Sequence, residues 1–341
     1  MRAVRFEDFG GPGVLRTLQV DDPVCPAGHL LVRIAAAAVN HLDLDERAGT
    51  SGFAVHPAHQ LGREGAGTVV EVGSGVDRGW RGVRVIVSAY PPCGMCAECT
   101  RGAINVCRFP RRPGIDVPGT YAEMMAVPEN GLFRLPAEIP MATAACLQLG
   151  FGTAWHALIR RAALRPGQSV LVTGAGGGVG SAAVQVGALA GGRVFAVAGS
   201  AERRALAIKL GAEVAVADGP DLPDQVRALT GGAGVDVVLD AGAGPFLPTG
   251  LACLRTDGRY VIYGAHAGEK AELDLIGLFR SYASIIASRG WWLDDMRRVI
   301  DAATRGQIRV PLHGELSLDA AAEAHRAVGA RIVNGKIVLL P

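Results

Sequence analysis

The stretch that decides the fold is "SVLVTGAGGGVGSAAVQVGALAGG", residues 169–192. Its short apolar run predicts a buried strand, the glycines predict a tight turn, and the remainder predicts a helix. In that context glycines let the backbone approach a pyrophosphate, and the helix N-terminus supplies unpaired N–H groups. We therefore predict a dinucleotide-binding turn; a tight turn without a ligand is the alternative. The candidate cofactor contacts here are Gly176, Gly177, Gly178, Val179 and Gly180.

The segments that follow alternate between strand and helix patterns up to about residue 290. "RVFAVAGS", "EVAVADG", "VDVVLDAGAG" and "GRYVIYGA" predict strands, and "AERRALAIKLGA" predicts a helix that ends at a glycine. Strands that alternate with helices imply right-handed crossovers and a doubly wound parallel sheet over 146–290. Residues 1–145 instead carry short apolar runs between glycines and prolines, which predicts a β-rich domain. The tail 291–341 ends in the strand pattern "GKIVLL" and is expected to return to that first domain, so the fold class is α/β.

Composition narrows the class of protein. Hydrophobic residues make up 49% of the 341 positions, and the formal net charge is +2. This near balance of charge argues against a dedicated nucleic-acid or acidic-membrane surface. The N-terminus "MRAVRFEDFGGPG" lacks the apolar run of a signal peptide, and we find no stretch of about 18 apolar residues. We expect a soluble cytoplasmic protein that acts on a small molecule.

The end of the second predicted strand indicates which cofactor binds. NAD-specific folds usually carry an acidic residue there, to hold the ribose hydroxyls. This chain has "VAGSAERR", which offers Ser200, Arg203 and Arg204 instead. A 2′-phosphate favours such positive charge, so NADPH is predicted. The alternative is that both arginines are ordinary solvated helix residues.

A dense cysteine group lies in the segment 91–110. The four residues follow the spacing C-x2-C-x2-C-x7-C, whereas Cys25, Cys146 and Cys253 are isolated; the group is Cys93, Cys96, Cys99 and Cys107. Four thiolates complete a tetrahedral zinc shell and leave no open position for water or substrate. The pattern therefore predicts one structural Zn²⁺; a reduced, metal-free lobe is the alternative.

Taken together, these motifs resemble the medium-chain dehydrogenase/reductase superfamily over the whole chain. "MRAVRFEDFGGPGVL", "HLLVRIAAAAVNHLDLDERAG", "LGREGAGTVVEVGSGV", "GTYAEMMAVPE" and "GFGTAWHAL" are similar to its quinone-oxidoreductase branch, and the cysteine lobe resembles its zinc alcohol dehydrogenase branch. The resemblance implies a GroES-like catalytic domain (1–145 and 291–341) and a Rossmann domain (146–290). It also implies a homodimer through the edge strand in "RSYASIIASRG".

The same resemblance locates the ligands of a catalytic zinc. The zinc enzymes draw a Cys from the "VNHLD" stretch, a His from "LGREGAG", and a Cys or an acid from "CLQLGFGT"; this chain has Asn40, Arg63 and Leu149 there. None of these side chains is a good zinc ligand. We therefore expect no catalytic zinc, and we expect Arg63 to pair with Asp43 or Glu64, because a buried guanidinium without a partner is costly.

These expectations lead to a predicted reaction. Without a Lewis acid, nothing stabilises the alkoxide that forms in alcohol oxidation, whereas hydride addition to an activated C=C needs only donors around a carbonyl oxygen. We predict an NADPH-dependent reductase of an enone, quinone or enoyl substrate. The alternatives are a zinc-type alcohol dehydrogenase or carbonyl reductase with unusual ligands, and a non-catalytic nucleotide-binding homologue.

The candidate residues for this activity fall into three groups. Asn40, Asp43 and Arg63 are the candidate catalytic residues, and Tyr90 and Tyr121 are candidate proton donors by chemistry alone. In related enzymes a basic residue at the position of His41 often lies against the pyrophosphate. The remaining candidate cofactor contacts are Thr153, Gly242 and Gly264.

Overall fold

The computed structural model describes residues 1–341, which divide into two compact units. The first unit comprises Met1–Leu149 and Trp292–Pro341, and the second comprises Gly150–Trp291. The sequence expectation places these divisions after residues 145 and 290. No helix has the length and apolar character needed to cross a bilayer.

The first unit is built mainly from antiparallel strands, as its apolar runs and glycine punctuation predict. Its strands are β1 (Arg2–Phe6), β2 (Arg16–Gln19), β3 (His29–Ala38), β4 (His59–Gln60), β5 (Glu64–Val72), β6 (Arg84–Val87), β7 (Met124–Pro128) and β8 (Leu132–Arg134). Its helices in this part are α1 (His41–Ala48), α2 (Ala97–Thr100) and α3 (Met141–Ala145). The chain then passes through a helical segment that includes π-type turns, Leu147–Gly152 and His156–Arg161.

The second unit is a parallel α/β sheet, and the Rossmann prediction is confirmed. Its strands are β9 (Ser169–Val172), β10 (Arg193–Val197), β11 (Val214–Val216), β12 (Val235–Asp240), β13 (Leu254–Ile262) and β14 (Ser284–Ala287). The helices are α4 (Thr153–Trp155), α5 (Gly178–Leu189), α6 (Ala201–Lys209), α7 (Leu222–Leu229), α8 (Leu247–Ala252) and α9 (Leu275–Ser281). The strand order is β11-β10-β9-β12-β13-β14, so the order reverses beside β9, where such sheets bind ligands.

The C-terminal tail belongs to the first unit. It contributes α10 (Leu293–Thr304), β15 (Leu312–Ser317), α11 (Ala321–Gly329) and β16 (Lys336–Leu340). Strand β16 pairs antiparallel with β3, and Val338 lies opposite Ala38. The larger sheet has the order β15-β16-β3-β5-β6-β8, with β7 also paired to β3, and a smaller sheet has the order β2-β1-β4. The pairing of β16 with β3 brings the start of β16 to the end of β3, close to the first candidate catalytic residue.

Each unit has its own apolar core. Phe6, Leu30 and Leu61 are wholly buried in the first unit. Phe195 and Tyr260 are buried in the second. These cores hold the strand ends from which the site residues project.

Candidate active site

A buried carboxylate lies at the centre of the polar site in the first unit. Glu64 is the first residue of β5, and its side chain is 0% exposed. Its Oε1 accepts the backbone N–H of Leu149 at 2.6 Å. Its Oε2 accepts Asn40 Nδ2 at 2.9 Å and Lys336 Nζ at 3.1 Å. The resemblance implies zinc ligands at three positions, and the residues at two of them, Asn40 and Leu149, both contact this carboxylate.

The cation of this site is Lys336, which the sequence analysis did not single out. Its ammonium donates to Glu64, to the carboxamide oxygen of Asn40, and to the Val39 carbonyl at 3.3 Å. Burial lowers the pKa of Lys336, but Glu64, Cys146 and Asp43 together outweigh this effect, so the pKa is raised and the lysine stays charged. The only sequence signal was a lysine that opens an otherwise apolar strand, in "GKIVLL".

Asn40 is held in place through all of its polar atoms. Its Nδ2 donates to Ala38 O at 3.3 Å as well as to Glu64, and its Oδ1 accepts from Lys336. Its backbone N–H donates to Asp43 Oδ2 at 2.8 Å, which caps the N-terminus of α1. The helix ends at Gly49, which has the left-handed φ of 75°. Asn40 is therefore a rigid part of the wall around Glu64.

The prediction that Arg63 forms an ion pair with Asp43 or Glu64 is wrong. Arg63 is 1% exposed, and its guanidinium donates to two backbone carbonyls, Pro113 O at 3.2 Å and Ala89 O at 3.1 Å. The ring of Tyr90 also lies 5.3 Å from the guanidinium carbon. The pairing fails because Lys336 already neutralises Glu64, while Asp43 is occupied by the helix cap. Arg63 is thus a buried cation without a carboxylate in hydrogen-bond contact.

A second buried carboxyl group, that of Glu46, interacts electrostatically with Arg63. Glu46, on α1, is 0% exposed, and neither of its carboxyl oxygens accepts a hydrogen bond. Burial and the neighbouring carboxylate of Asp43 raise its pKa to about 9, although the charge of Arg63 opposes this shift. Glu46 is therefore protonated at neutral pH.

Asp43 begins a hydrogen-bonded chain that runs away from Glu64. Tyr121 Oη donates to Asp43 Oδ2 at 3.3 Å and lies 3.3 Å from His325 Nε2. Arg47 Nη1 lies 3.1 Å from His325 Nδ1; since arginine only donates, Nδ1 accepts and Nε2 carries the proton. Burial, opposed mainly by the Asn40 N–H, raises the pKa of Asp43 to about 6.

The other two members of this chain are held in their neutral forms. Burial and the positive Arg47 lower the pKa of His325 to about 3. Burial and Asp43 raise the pKa of Tyr121 well above its usual value. Both side chains are 0% exposed, so Tyr121 cannot give a proton directly to a substrate. Its role here is to hold Asp43.

The cysteine lobe brings its four thiols together. The Sγ atoms of Cys93, Cys96, Cys99 and Cys107 lie within 4.8 Å of one another. Cys93 Sγ and Cys99 Sγ are 3.8 Å apart. In a tetrahedral thiolate shell, Zn–S bonds of about 2.3 Å place the sulfurs about 3.8 Å apart. Backbone N–H groups of Met95 and Cys96 lower the pKa of Cys93 to about 6, whereas burial raises the pKa values of Cys99 and Cys107. The donor set therefore fits a closed tetrahedral metal.

In the second unit, the glycine turn has the geometry of a close approach. Gly174 has φ of +58°, and α5 begins at Gly178. A Cβ at Gly180 would lie 2.1 Å from the carbonyl oxygen of Gly174, so this position accepts only glycine. A Cβ at Gly176 would meet the Cγ of Arg203 at 2.5 Å, which means that the arginine stem lies against the turn. The turn leads into the N-terminus of α5, whose first backbone N–H groups have no acceptor within the helix and suit a pyrophosphate.

The structure places the other predicted cofactor contacts in both units. Ser200 caps α6, because its Oγ accepts the N–H of Arg203 at 3.3 Å. Arg204 Nη1 donates to Ala198 O at 3.0 Å. The remaining four occupy separate elements: His41 opens α1, Thr153 opens α4, Gly242 follows β12 and Gly264 follows β13. Asp240, whose backbone ends β12, was missed by the sequence analysis and is buried beside the glycine turn.

Known proteins share this architecture. The family model for the alcohol dehydrogenase GroES-like domain matches residues 26–137, and the model for zinc-binding dehydrogenase matches residues 178–305. The NAD-dependent alcohol dehydrogenase of Sulfolobus acidocaldarius is 32% identical over 99% of both chains. The quinone oxidoreductase of Rattus norvegicus is 30% identical over 100% of this chain and 98% of its own. A solved NAD-dependent alcohol dehydrogenase has a TM-score of 0.96 at 36% identity, with 100% of both chains covered.

These matches extend from end to end and include both domains. The chain belongs to the medium-chain dehydrogenase/reductase superfamily of oxidoreductases, which confirms the resemblance drawn from its motifs.

Proposed function

We propose that the protein is an NADPH-dependent reductase of an activated C=C, of the enone, quinone or enoyl type, which transfers hydride without a catalytic metal. One observation carries this proposal. Asn40 and Leu149, which stand where the resemblance implies zinc ligands, both donate to Glu64, and Glu64 forms a buried ion pair with Lys336 at 3.1 Å. The site already contains its own cation.

The donor set supports this reading because it does not fit a catalytic zinc. The amide of Asn40 is fully used in hydrogen bonds, the guanidinium of Arg63 repels a metal cation, and Leu149 has no donor side chain. Glu64, a possible replacement ligand, already accepts three hydrogen bonds through its two oxygens. A zinc ion would have to displace Lys336 and break these contacts.

The buried groups could instead act through their fixed charges. NADPH, when bound, supplies the hydride to the β-carbon of the substrate, and negative charge then develops on the substrate carbonyl oxygen. No carboxylate touches Arg63, so its positive charge can stabilise that oxygen at a distance. Asn40 and Asp43 fix the wall of the site, through the capped start of α1. In this proposal Asn40 and Asp43 hold the wall of the site in position, and the charge of Arg63 stabilises the negative substrate oxygen.

Steady-state kinetics test the reaction class. Purified protein is assayed for NADPH oxidation with a small panel of quinones and enones, and for NADP⁺ and NAD⁺ reduction with primary and secondary alcohols. We expect reduction of an activated C=C and no alcohol oxidation. Two of the three named relatives are alcohol dehydrogenases and favour the second candidate, whereas the quinone oxidoreductase favours the first. Alcohol turnover together with two zinc ions per chain would establish that candidate, and tight NADPH binding without any turnover would favour a non-catalytic homologue.

NADPH is proposed as the cofactor because β10 ends without an acidic residue. Its end is followed by Gly199 and Ser200, and Arg203 lies against the glycine turn. The relatives named NAD-dependent favour NADH, so the preference must be measured directly. We expect a higher kcat/KM for NADPH, and a double variant of Arg203 and Arg204 to alanine should lose that preference while NADH use is kept. The matched control is R193A, since Arg193 lies at the start of β10, away from α6, and pairs with Glu213. A wild type that prefers NADH would refute the proposal.

We further propose that the cysteine lobe holds one structural Zn²⁺. Its closed set of four thiols has no position left for a substrate. The metal would order the lobe and take no part in hydride transfer.

A homodimer is proposed through the edge of the parallel sheet. Strand β14 pairs only with β13, and Ile285 on it is 36% exposed. Next to it in the chain, α9 and the residue after it expose Leu275, Ile276, Phe279 and Tyr282. An uncovered apolar edge is a liability for an isolated chain. Light scattering after size exclusion should give a dimer for the wild type and for V24K, at an isolated exposed site, and a monomer for I285K. A monomeric wild type would exclude this assembly.

A further inference from the structure

The carboxylate of Asp240, the last residue of β12, is buried without a cation. It is 1% exposed, and four hydrogen-bond donors surround it. Thr173 Oγ1 and Gly242 N donate to Oδ1 at 2.5 Å and 3.0 Å. Tyr260 Oη and Ala243 N donate to Oδ2 at 2.7 Å and 2.6 Å. A buried charge held only by neutral donors is costly to build, so its position needs an explanation.

The four donors lie on or directly after three neighbouring strands. Strand β9 pairs with β12, and β12 pairs with β13, all in parallel. Thr173 follows β9 and directly precedes the glycine turn, whereas Gly242 and Ala243 form the turn that follows β12. Asp240 therefore connects the glycine turn to the next turn along the carboxyl edge of the sheet, where open parallel sheets bind ligands.

The second of these turns has a strained backbone. Ala243 has φ of 47° and Gly244 has φ of 44°, and the left-handed region is unusual for alanine. The N–H of Ala243 is one of the two backbone donors to Asp240, so the carboxylate contributes to holding this conformation. Such strain persists only where the surroundings determine it, and it is common at ligand-binding turns.

We propose that Asp240 is a positioning residue for the dinucleotide: its carboxylate holds the glycine turn and the 241–244 turn in the arrangement that receives the cofactor. The inference rests on the proposed binding of NADPH to this unit. An asparagine at 240 keeps the shape of the side chain, but its Nδ2 cannot accept a hydrogen bond. It would leave two of the four donors without an acceptor.

The chain offers a matched control at the other end of the same strand. Asp236, near the start of β12, also accepts four hydrogen bonds, from Ser169 N, Ser169 Oγ, Gln168 Nε2 and Arg255 Nε. It lies at the amino edge of the sheet, far along the strand from the glycine turn. D236N therefore removes a comparable set of contacts without touching the proposed cofactor edge.

The test compares NADPH dissociation constants, from fluorescence titration, with melting temperatures of the cofactor-free proteins. We expect D240N to weaken NADPH binding by about tenfold or more, the loss typical of hydrogen bonds to a charged group. D236N should bind NADPH like the wild type, even if its melting temperature falls as far. T173V should weaken binding by several-fold, and T173S, which keeps the hydroxyl, should restore it.

Each other outcome counts against the inference. D240N binding within twofold of the wild type would overturn it, as would an equal loss in D236N. If D240N does not fold, equal affinities of T173V and T173S would overturn it. A wild type that binds neither NADPH nor NADH would refute the proposed function, which is a distinguishable result.

Discussion

The ion pair of Lys336 and Glu64 gives the sharpest prediction about stability. Their side chains are 7% and 0% exposed, so K336M leaves a carboxylate in the interior without its counter-ion. Removing one partner of a buried pair costs about 3–5 kcal/mol. In a domain of this size, 1 kcal/mol shifts Tm by about 2–4 °C, so Tm should fall by roughly 6–20 °C.

A double-mutant cycle separates the ion pair from the packing of the two side chains. E64Q alone should also destabilise the protein, because the buried ammonium of Lys336 would then contact only neutral acceptors. The double variant K336M/E64Q has no buried charge and should be clearly more stable than the sum of the single losses predicts. The free energy of unfolding is measured by urea denaturation, with Tm by scanning calorimetry.

The control is an exposed pair in the same unit. Asp301, on α10, and Arg305, directly after it, form an ion pair at 3.1 Å and are 55% and 66% exposed, so R305M should cost at most about 1 kcal/mol. The reasoning is refuted if K336M is as stable as R305M, or if the losses of K336M and E64Q simply add.

Three further outcomes follow from the structure. Glu46 has a pKa raised from 4.5 to about 9, so the folded protein keeps a proton that the unfolded chain loses; wild-type stability should therefore fall as pH rises through that window. This loss of stability has a slope of at most about 1.4 kcal/mol per pH unit. E46Q should remove the loss, whereas E138Q, at an exposed position, should keep it. The prediction is wrong if the free energy of unfolding, from urea denaturation, depends on pH in the same way in wild type and E46Q. Metal analysis should find one zinc per chain and none in C96S, which should also melt at a lower temperature; zinc retained in C96S would exclude the thiol site. G180A should lose measurable NADPH binding, because its Cβ would lie 2.1 Å from a backbone oxygen, whereas G13A, in open space, should bind normally; binding by G180A would show that the turn is not the cofactor site.

Features that depend on residues close together in the chain could be predicted from the sequence. The cysteine spacing places four thiols on one loop, and the glycines after an apolar strand predict the turn before α5, because both depend on nearby residues. The presence of Asn40, Arg63 and Leu149 at the positions where the resemblance implies zinc ligands was equally visible. These local signals were enough to give the superfamily and the α/β class.

The partners of the buried charges were decided only by the tertiary structure. Lys336 lies 272 positions from Glu64 in the chain, and no local pattern connects them. Arg63 was expected to pair with Asp43 or Glu64, but the pairing of β16 with β3 places Lys336 beside Glu64 instead. Asp240 likewise gains two of its four donors, the hydroxyls of Thr173 and Tyr260, only when three strands lie side by side. A side chain's type is fixed by the sequence, but which buried charge it neutralises depends on which distant strands the fold makes neighbours.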